Sequence, residues 1–340
     1  MRIHSDAPAA LSPGAFRSPV ATIGVFDGVH VGHRHVLGLV RDRARLTRGE
    51  SVVITFADHP DALLKGEAPP LLTPLPLRLK LFAGCGIDHA VVLPFDDAVR
   101  SLTAEQFVER VLVRGIGVKR VVLGYNSRFG KDAAGDFAAL RALGAKFGFE
   151  AELAGPVLLR GAEVSSTALR RAIIEGRLSD AEAALGRPPS VYGRVARGAA
   201  RGRLIGFPTA NVEAASVVKP PRGVYAGRVD VAGVAYPALV NIGTRPTFAN
   251  GGGLLVEAHL VGFAGDLYGR EIDVEILARV RDERRFSGPD ELRAQIERDR
   301  VACLEIVAER ARGGGAARPS IDSLESGDIT TVRRPTDSGR

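Results

Sequence analysis

Four short apolar runs, spaced by amphipathic stretches, constrain the first half of this chain more than any other feature. They are VATIGVF at 20–26, SVVITF at 51–56, HAVVLPF at 89–95 and RVVLGYN at 120–126. Each is β-prone and reads as a buried strand. Between them RHVLGLVRDRARL (34–46), LRLKLFAGC (77–85) and AEQFVERVLVRG (104–115) carry helical patterns. Strands alternating with helices predict βαβ units, a parallel sheet and right-handed connections.

Helical patterns continue with SSTALRRAIIEG from Ser165 and LSDAEAALG from Leu178. The texture changes after Gly186-Arg187-Pro188-Pro189. Short β-like runs (SVYGRV, GVYAGRV, YPALVNIG, LLVEAHLVGF, EIDVEIL) then alternate with Gly/Pro turns, the rhythm of an antiparallel barrel, and GPDELRAQIERDRVACLEIVAERA reads as a closing helix. From Gly313 the chain has little apolar content and reads as a disordered tail. The expected fold class is α/β followed by β. A Rossmann-like domain with a parallel sheet spans 1–186, an antiparallel β-barrel with a terminal helix spans 187–312, and a tail spans 313–340. A length of 340 residues suits two domains. No repeat of solenoid period is present.

No stretch approaches ~20 uninterrupted apolar residues, and the N-terminus lacks the layout of a signal peptide, so a cytoplasmic protein with no membrane partner is expected. Cys85 and Cys303 are too far apart in sequence to suggest a disulfide framework or a zinc cluster, and read as structural thiols. The net charge of +7 suits anionic partners without choosing among them. The chain has no Trp and only five Tyr, a poor supply of stacking surface for single strands, and no dense Lys/Arg run; a nucleic-acid partner is not expected.

Chemistry concentrates first in GVFDGVHVGH (24–33), where a strand hands over to a helix. His30 and His33 are three residues apart. If the helix starts near them, they share a face beside the unbonded amides of its first turn, which attract phosphate. Gly28 and Gly32 let the backbone approach a ligand, and imidazoles donate to phosphate oxygens. The plainer reading is that one histidine caps the helix and the other is exposed. Downstream, Val164-Ser165-Ser166-Thr167-Ala168-Leu169-Arg170 places hydroxyls at a helix start and a guanidinium one turn on, either an ordinary cap with a surface Arg or a phosphate grip.

These two motifs together resemble the nucleotidyltransferase superfamily, and TIGVFDGVHVGH resembles the prokaryotic bifunctional riboflavin kinase/FAD synthetase family. The resemblance implies an FMN adenylyltransferase module that takes ATP on Gly24, Phe26, Asp27, Gly28, His30, Gly32, His33, Ser165, Ser166, Thr167 and Arg170. It places the flavin side at His59, Pro60 and Asn126. FMN phosphate would attack the α-phosphorus of ATP, with Mg²⁺ bridging phosphates and no protein nucleophile. Several positions depart from the pattern. The family's G-E-D-F-R-F-G is here Gly124-Tyr125-Asn126-Ser127-Arg128-Phe129-Gly130, so Tyr125 replaces an acid and Ser127 a Phe. In F-x-P-H-P, Asp58 replaces the first Pro. Glu163 stands where a basic residue is common.

The segment Arg197–Asn211 is rich in Gly and Arg, fit either for wrapping phosphates or for a flexible basic hairpin. Its G-F-P-T-A-N string resembles the riboflavin kinase signature. That implies ATP contacts at Gly198, Gly202, Arg203, Gly206, Pro208, Thr209 and Asn211, with Thr209 and Asn211 as neutral oxygen ligands of Mg²⁺. The family's E-x-H-L is Glu257-Ala258-His259-Leu260, whose Glu is its general base. His259 lies on the same strand face as Glu257, either orienting it or packing. Flavin contacts are implied at Asn241, Gly243, Thr244, Arg281, Glu283 and Phe286. The whole resemblance spans about residues 20–312 and implies ATP, riboflavin and FMN as substrates, FAD as product, and a monomer or weak homo-oligomer. The departures leave open a kinase alone, with an N-terminal docking module.

Overall fold

The structure, a computed structural model, describes residues 1–5, 14–198, 202, 206–214, 216–244, 254–312 and 330–332. Packing divides it into two compact units.

The first unit comprises Met1–Pro69, Arg78–Ser165 and the strand Thr330–Val332. Its strands are β1 (Arg2–His4), β2 (Val20–Ile23), β3 (Ser51–Phe56), β4 (His89–Leu93), β5 (Arg120–Gly124) and β6 (Glu150–Ala154). Its helices are α1 (Val31–Leu46), α2 (Pro60–Lys65), α3 (Leu75–Gly84, which begins before Arg78), α4 (Ala104–Phe107) and α5 (Phe137–Phe147). α4 runs on in wider turns through Val108–Ile116. The four expected strands sit at the centre of one parallel sheet, in the order Thr330–Val332, β1, β4, β3, β2, β5, β6. Every residue of β2, β3 and β4 is buried, as strands covered on both faces must be.

The order reverses beside β2. β3 and β4 lie to one side and β5 to the other, and β2 pairs with β5 only at Val20↔Arg120 and Ala21↔Val121. The strands then part, and a crevice opens at their carboxyl ends, where doubly wound sheets take ligands.

The second unit comprises Pro70–Leu77 and the residues from Ser166 on. Helices α6 (Ser166–Ile174) and α7 (Leu178–Leu185) bury Leu169, Ile173, Ala181 and Leu185 against Leu72 and Val218. Leu71 pairs with Val217, so packing draws the division at Ser165 rather than at Gly186. Six strands follow: β7 (Ser190–Ala196), β8 (Ala210–Glu213), β9 (Gly223–Val231), β10 (Val234–Thr244), β11 (Leu254–Leu260) and β12 (Glu271–Arg281). They close into an antiparallel barrel in the order β8-β11-β10-β9-β12-β7. Val191, Tyr225, Val229, Val240, Ile242, Val256, Ala258 and Ile276 fill it. The closing helix α8 (Pro289–Arg312) lays Cys303 and Ile306 on Val224, Ala226 and Leu239. It is also tied by Asp299 to Arg281 and by Arg310 to Glu182 and Leu277 O. The expected α/β-then-barrel architecture is the one found. Among the described residues no helix is long and apolar enough to cross a membrane.

One buried polar cluster ties β1 to the sheet. His4 Nε2 lies 3.0 Å from His89 Nδ1, and His89 Nε2 lies 3.4 Å from Glu50 Oε2. Burial pushes the His89 pKa below its ordinary value; Glu50 and Asp88 pull it up, and His4 and Arg2 push it down. The fold therefore holds the neutral ring. This contribution is complete above the ordinary histidine pKa of about 6.5 and is lost as pH falls below it. Between about pH 7.5 and about pH 5 the chain should lose more unfolding free energy than His89→Gln. Urea unfolding at the two pH values measures this, and equal losses would contradict it.

Candidate functional site

The first candidate site fills the crevice between β2 and β5. The turn after β2 is forced into a rarely populated backbone: φ is +54° at Phe26, +92° at Gly28 and +40° at Val29. A positive φ on a β-branched residue is costly and persists only where surrounding contacts over-determine it. Those contacts are present. Val29 N–H donates to Phe26 O at 3.0 Å and Gly24 N–H to Ile54 O at 3.1 Å. Beneath the turn lies Arg78, 1% exposed, whose Nη1 donates to Val25 O at 2.5 Å. Thr55 Oγ1 donates to the same carbonyl at 3.2 Å. Burial pushes the Arg78 pKa down and the charge of Asp27, itself buried, opposes it. Nothing in the sequence marks this arginine; within an apolar helix it reads as an outward-facing charge.

His30 stands at the N-cap of α1 rather than inside it, and its Nδ1 accepts from His33 N–H at 3.3 Å. The two rings stack, with centroids 3.6 Å apart. The histidines are thus held together by capping as well as by helical spacing. Gly32 makes room for this, since a Cβ there would lie 3.1 Å from His30 Cε1. The same Cβ position is 3.9 Å from Val164 O, so the segment leading into Ser165 borders the first turn of α1. Tyr125 Oη, at the end of β5, donates to Glu163 Oε2 at 2.7 Å. Asn126 is exposed beside it, and Ser127 N–H closes the turn on Gly124 O. His59 caps α2 through Asp61 N–H, with Pro60 at the first helical position, and Asp58 is exposed. Ser166, Thr167 and Arg170 are counted with the second unit, where Arg170 Nε donates to Pro70 O at 2.8 Å.

The second candidate site lies on the outer face of the barrel. Strand register pairs Asn211 with Glu257 and Asn241 with the same Glu257. Directly paired residues project to one face, so the three form a row across β8, β11 and β10. The alternating Val256, Ala258, Val240 and Ile242 face the core. Asn211 is buried, and its Nδ2 would lie 2.2 Å from a Cβ at Gly198. His259 Nδ1 lies 2.8 Å from Pro208 O, and its ring meets Phe207 edge-on at 5.4 Å. A carbonyl only accepts, so Nδ1 carries the proton, and His259 anchors the peptide that leads into Thr209. Gly202 lies beside Thr209, Gly206 has φ +87°, and Arg203 falls outside the described residues. Glu283 lies against Gly243, with Thr244 exposed next to it. Arg281 is occupied by Asp299, at 2.9 and 3.0 Å from Nε, and also faces the Phe286 ring. Among the described residues no trio of His, Cys, Asp or Glu is gathered for a metal.

Residues 13–168 match the FAD synthetase family and residues 185–307 the riboflavin kinase family. Curated relatives include bifunctional riboflavin kinase/FMN adenylyltransferases. That of Pseudomonas fluorescens is 40% identical, over 87% of this chain and 95% of the relative. That of Escherichia coli K12 is 41% identical, over 84% and 92%. That of Bacillus subtilis is 34% identical, over 90% and 98%. A crystal structure described as a macrolide-efflux protein from Streptococcus pneumoniae superposes with a TM-score of 0.77 at 28% identity, over 89% of this chain and 98% of that one.

Replacing Arg78 with Met removes the Nη1 donor to Val25 O and the buried positive charge that interacts with Asp27. Stability should fall by about 2–3 kcal/mol in urea unfolding. A change within about 0.5 kcal/mol, the range of surface substitutions, would show that Arg78 does not hold the turn.

Proposed function

This chain belongs to the bifunctional riboflavin kinase/FMN adenylyltransferase family, and from that premise we propose how its two sites divide the work. The protein phosphorylates riboflavin to FMN with ATP, then adenylylates FMN to FAD with release of pyrophosphate. Residues 187–312 carry the first step and residues 1–186 the second. The observation that carries the assignment is the row Asn211–Glu257–Asn241 on the barrel's outer face.

In the kinase step Glu257 accepts the proton of the ribityl 5′-hydroxyl as that oxygen attacks the γ-phosphorus of ATP. Gly198, Gly202, Arg203, Gly206 and Pro208 line the phosphates. Thr209 and Asn211 supply one hydroxyl and one amide oxygen, a set that fits Mg²⁺, which binds through few protein oxygens alongside phosphates and water. Bound there, the ion neutralises phosphate charge. Asn241, Gly243, Thr244, Glu283 and Phe286 take the flavin, with Arg281 bracing them through Asp299. His259 acts through Pro208, fixing the peptide before Thr209.

In the adenylylation step an FMN phosphate oxygen attacks the α-phosphorus of ATP and pyrophosphate leaves. The protein positions the reactants and stabilises charge. His30 Nδ1 is an acceptor of the cap bond, so the proton of the neutral ring sits on Nε2, a donor for phosphate oxygen. His33 is held parallel to it. Gly24, Phe26, Asp27, Gly28 and Gly32 shape the turn around the phosphates. Ser165, Ser166, Thr167 and Arg170 supply further donors, and His59, Pro60 and Asn126 face the flavin.

The two steps are separable by single substitutions. Glu257→Gln should lower FMN formation at least about 100-fold while supplied FMN is still converted to FAD. His30→Ala should do the reverse. Chromatography of flavin products reads both; FMN formation by Glu257→Gln within about threefold of the parent would refute the base assignment.

A further inference from the structure

Two of the departures from the family pattern meet in space. Tyr125 stands where the pattern has an acid and Glu163 where it has a base, 38 residues apart, and the Tyr125 hydroxyl donates to Glu163 Oε2 at 2.7 Å. The bond raises the Tyr125 pKa, chiefly through the hydrogen bond itself and secondarily through burial, so the phenol keeps its proton. Each departure taken alone looks like damage to a phosphate site. Here they meet as one donor–acceptor pair, with the donor on the β5 side and the acceptor on the hairpin side.

The location gives the pair a task. Tyr125 follows the last residue of β5, beyond the point where β5 and β2 part, and precedes Asn126. Glu163 ends the small hairpin Leu158–Leu159/Ala162–Glu163, two residues before Ser165. The next residue, Val164, is the one whose carbonyl borders Gly32 beside the His30–His33 stack. Closing Tyr125 on Glu163 therefore draws two walls of the crevice together next to the third.

We propose that Tyr125 and Glu163 are a positioning pair for adenylylation, a hydroxyl–carboxylate latch that holds Asn126 and Ser165 in place around the first turn of α1. This rests on the assignment of adenylylation to the first unit. The latch needs a donor facing an acceptor, so its two positions should tolerate exchange together but not singly.

The test is a charge swap in the full-length chain, with kcat and KM for FAD formation from supplied FMN and Mg²⁺-ATP. Tyr125→Asp sets two carboxylates face to face and should lower kcat/KM about tenfold or more. Adding Glu163→Arg should bring it back to within about threefold of the parent. Tyr125→Phe and Glu163→Gln should each lower kcat, and the double substitution should be no worse than either, the mark of residues acting as one. FMN formation from riboflavin and the urea midpoint should stay at parental values in all five, as a merely structural role would not allow. A Tyr125→Asp chain that adenylylates like the parent, a swap that fails to recover, or losses that track the urea midpoint would overturn the latch. Absence of FAD from the unsubstituted chain would overturn the adenylylation assignment and the latch with it.

Discussion

Closure of the barrel sets the level at which Asn211, Glu257 and Asn241 stand. Glu257 lies between two asparagines because β11 pairs with β8 on one side and β10 on the other, in registers that place Asn211 and Asn241 opposite the same residue. The side-chain period of a strand is two, so a slip of one residue in either pairing would turn Glu257 into the core and Val256 or Ala258 out of it. The hydrophobic filling of the barrel thus enforces the polar row. That row needs no catalytic loop to order it; the loop that must be held is the one ending at Pro208-Thr209, and His259, on the same face of β11, holds it.

The first unit solves a different problem. A parallel sheet has no barrel face to offer, and its ligand crevice is an accident of strand order, opening where β2 loses β5 after two residue pairs. What converts the opening into a shaped site is a strained turn pinned from below by Arg78 and from the sides by Phe82 and Ile54. The stacked histidines rest on that turn. A buried arginine is an expensive way to hold one carbonyl, and the nearby buried Asp27 offsets part of its desolvation.

Much of this was legible in the sequence, for identifiable reasons. The four central strands announced themselves as apolar runs, and five of the six barrel strands as short β-like runs between turns. The strands β1 and β6 did not, because Arg2–His4 is too short to show a period and Glu150–Ala154, a partly exposed edge, mixes Glu with Ala and Leu and has no continuous apolar run. β8 begins inside the G-F-P-T-A-N string and is only four residues long, too short to show a period. The docking of Pro70–Leu77 onto Val217 and Val218 leaves no local pattern at all. The same holds at the sites: motifs marked His30, His33, Thr209, Asn211 and Glu257, whereas Arg78 and the Tyr125–Glu163 bond depend on partners dozens of residues away. Residues marked by a local string are readable, and residues held by a distant neighbour are not.

One chain runs two phosphate chemistries in sequence. The most direct measurement is a time course of flavin products, separated by chromatography, from riboflavin, ATP and Mg²⁺ with the unsubstituted protein. FMN should appear first and without lag, and FAD should follow after a lag as FMN accumulates. Riboflavin left unchanged, or FMN that builds up with no FAD, would contradict it.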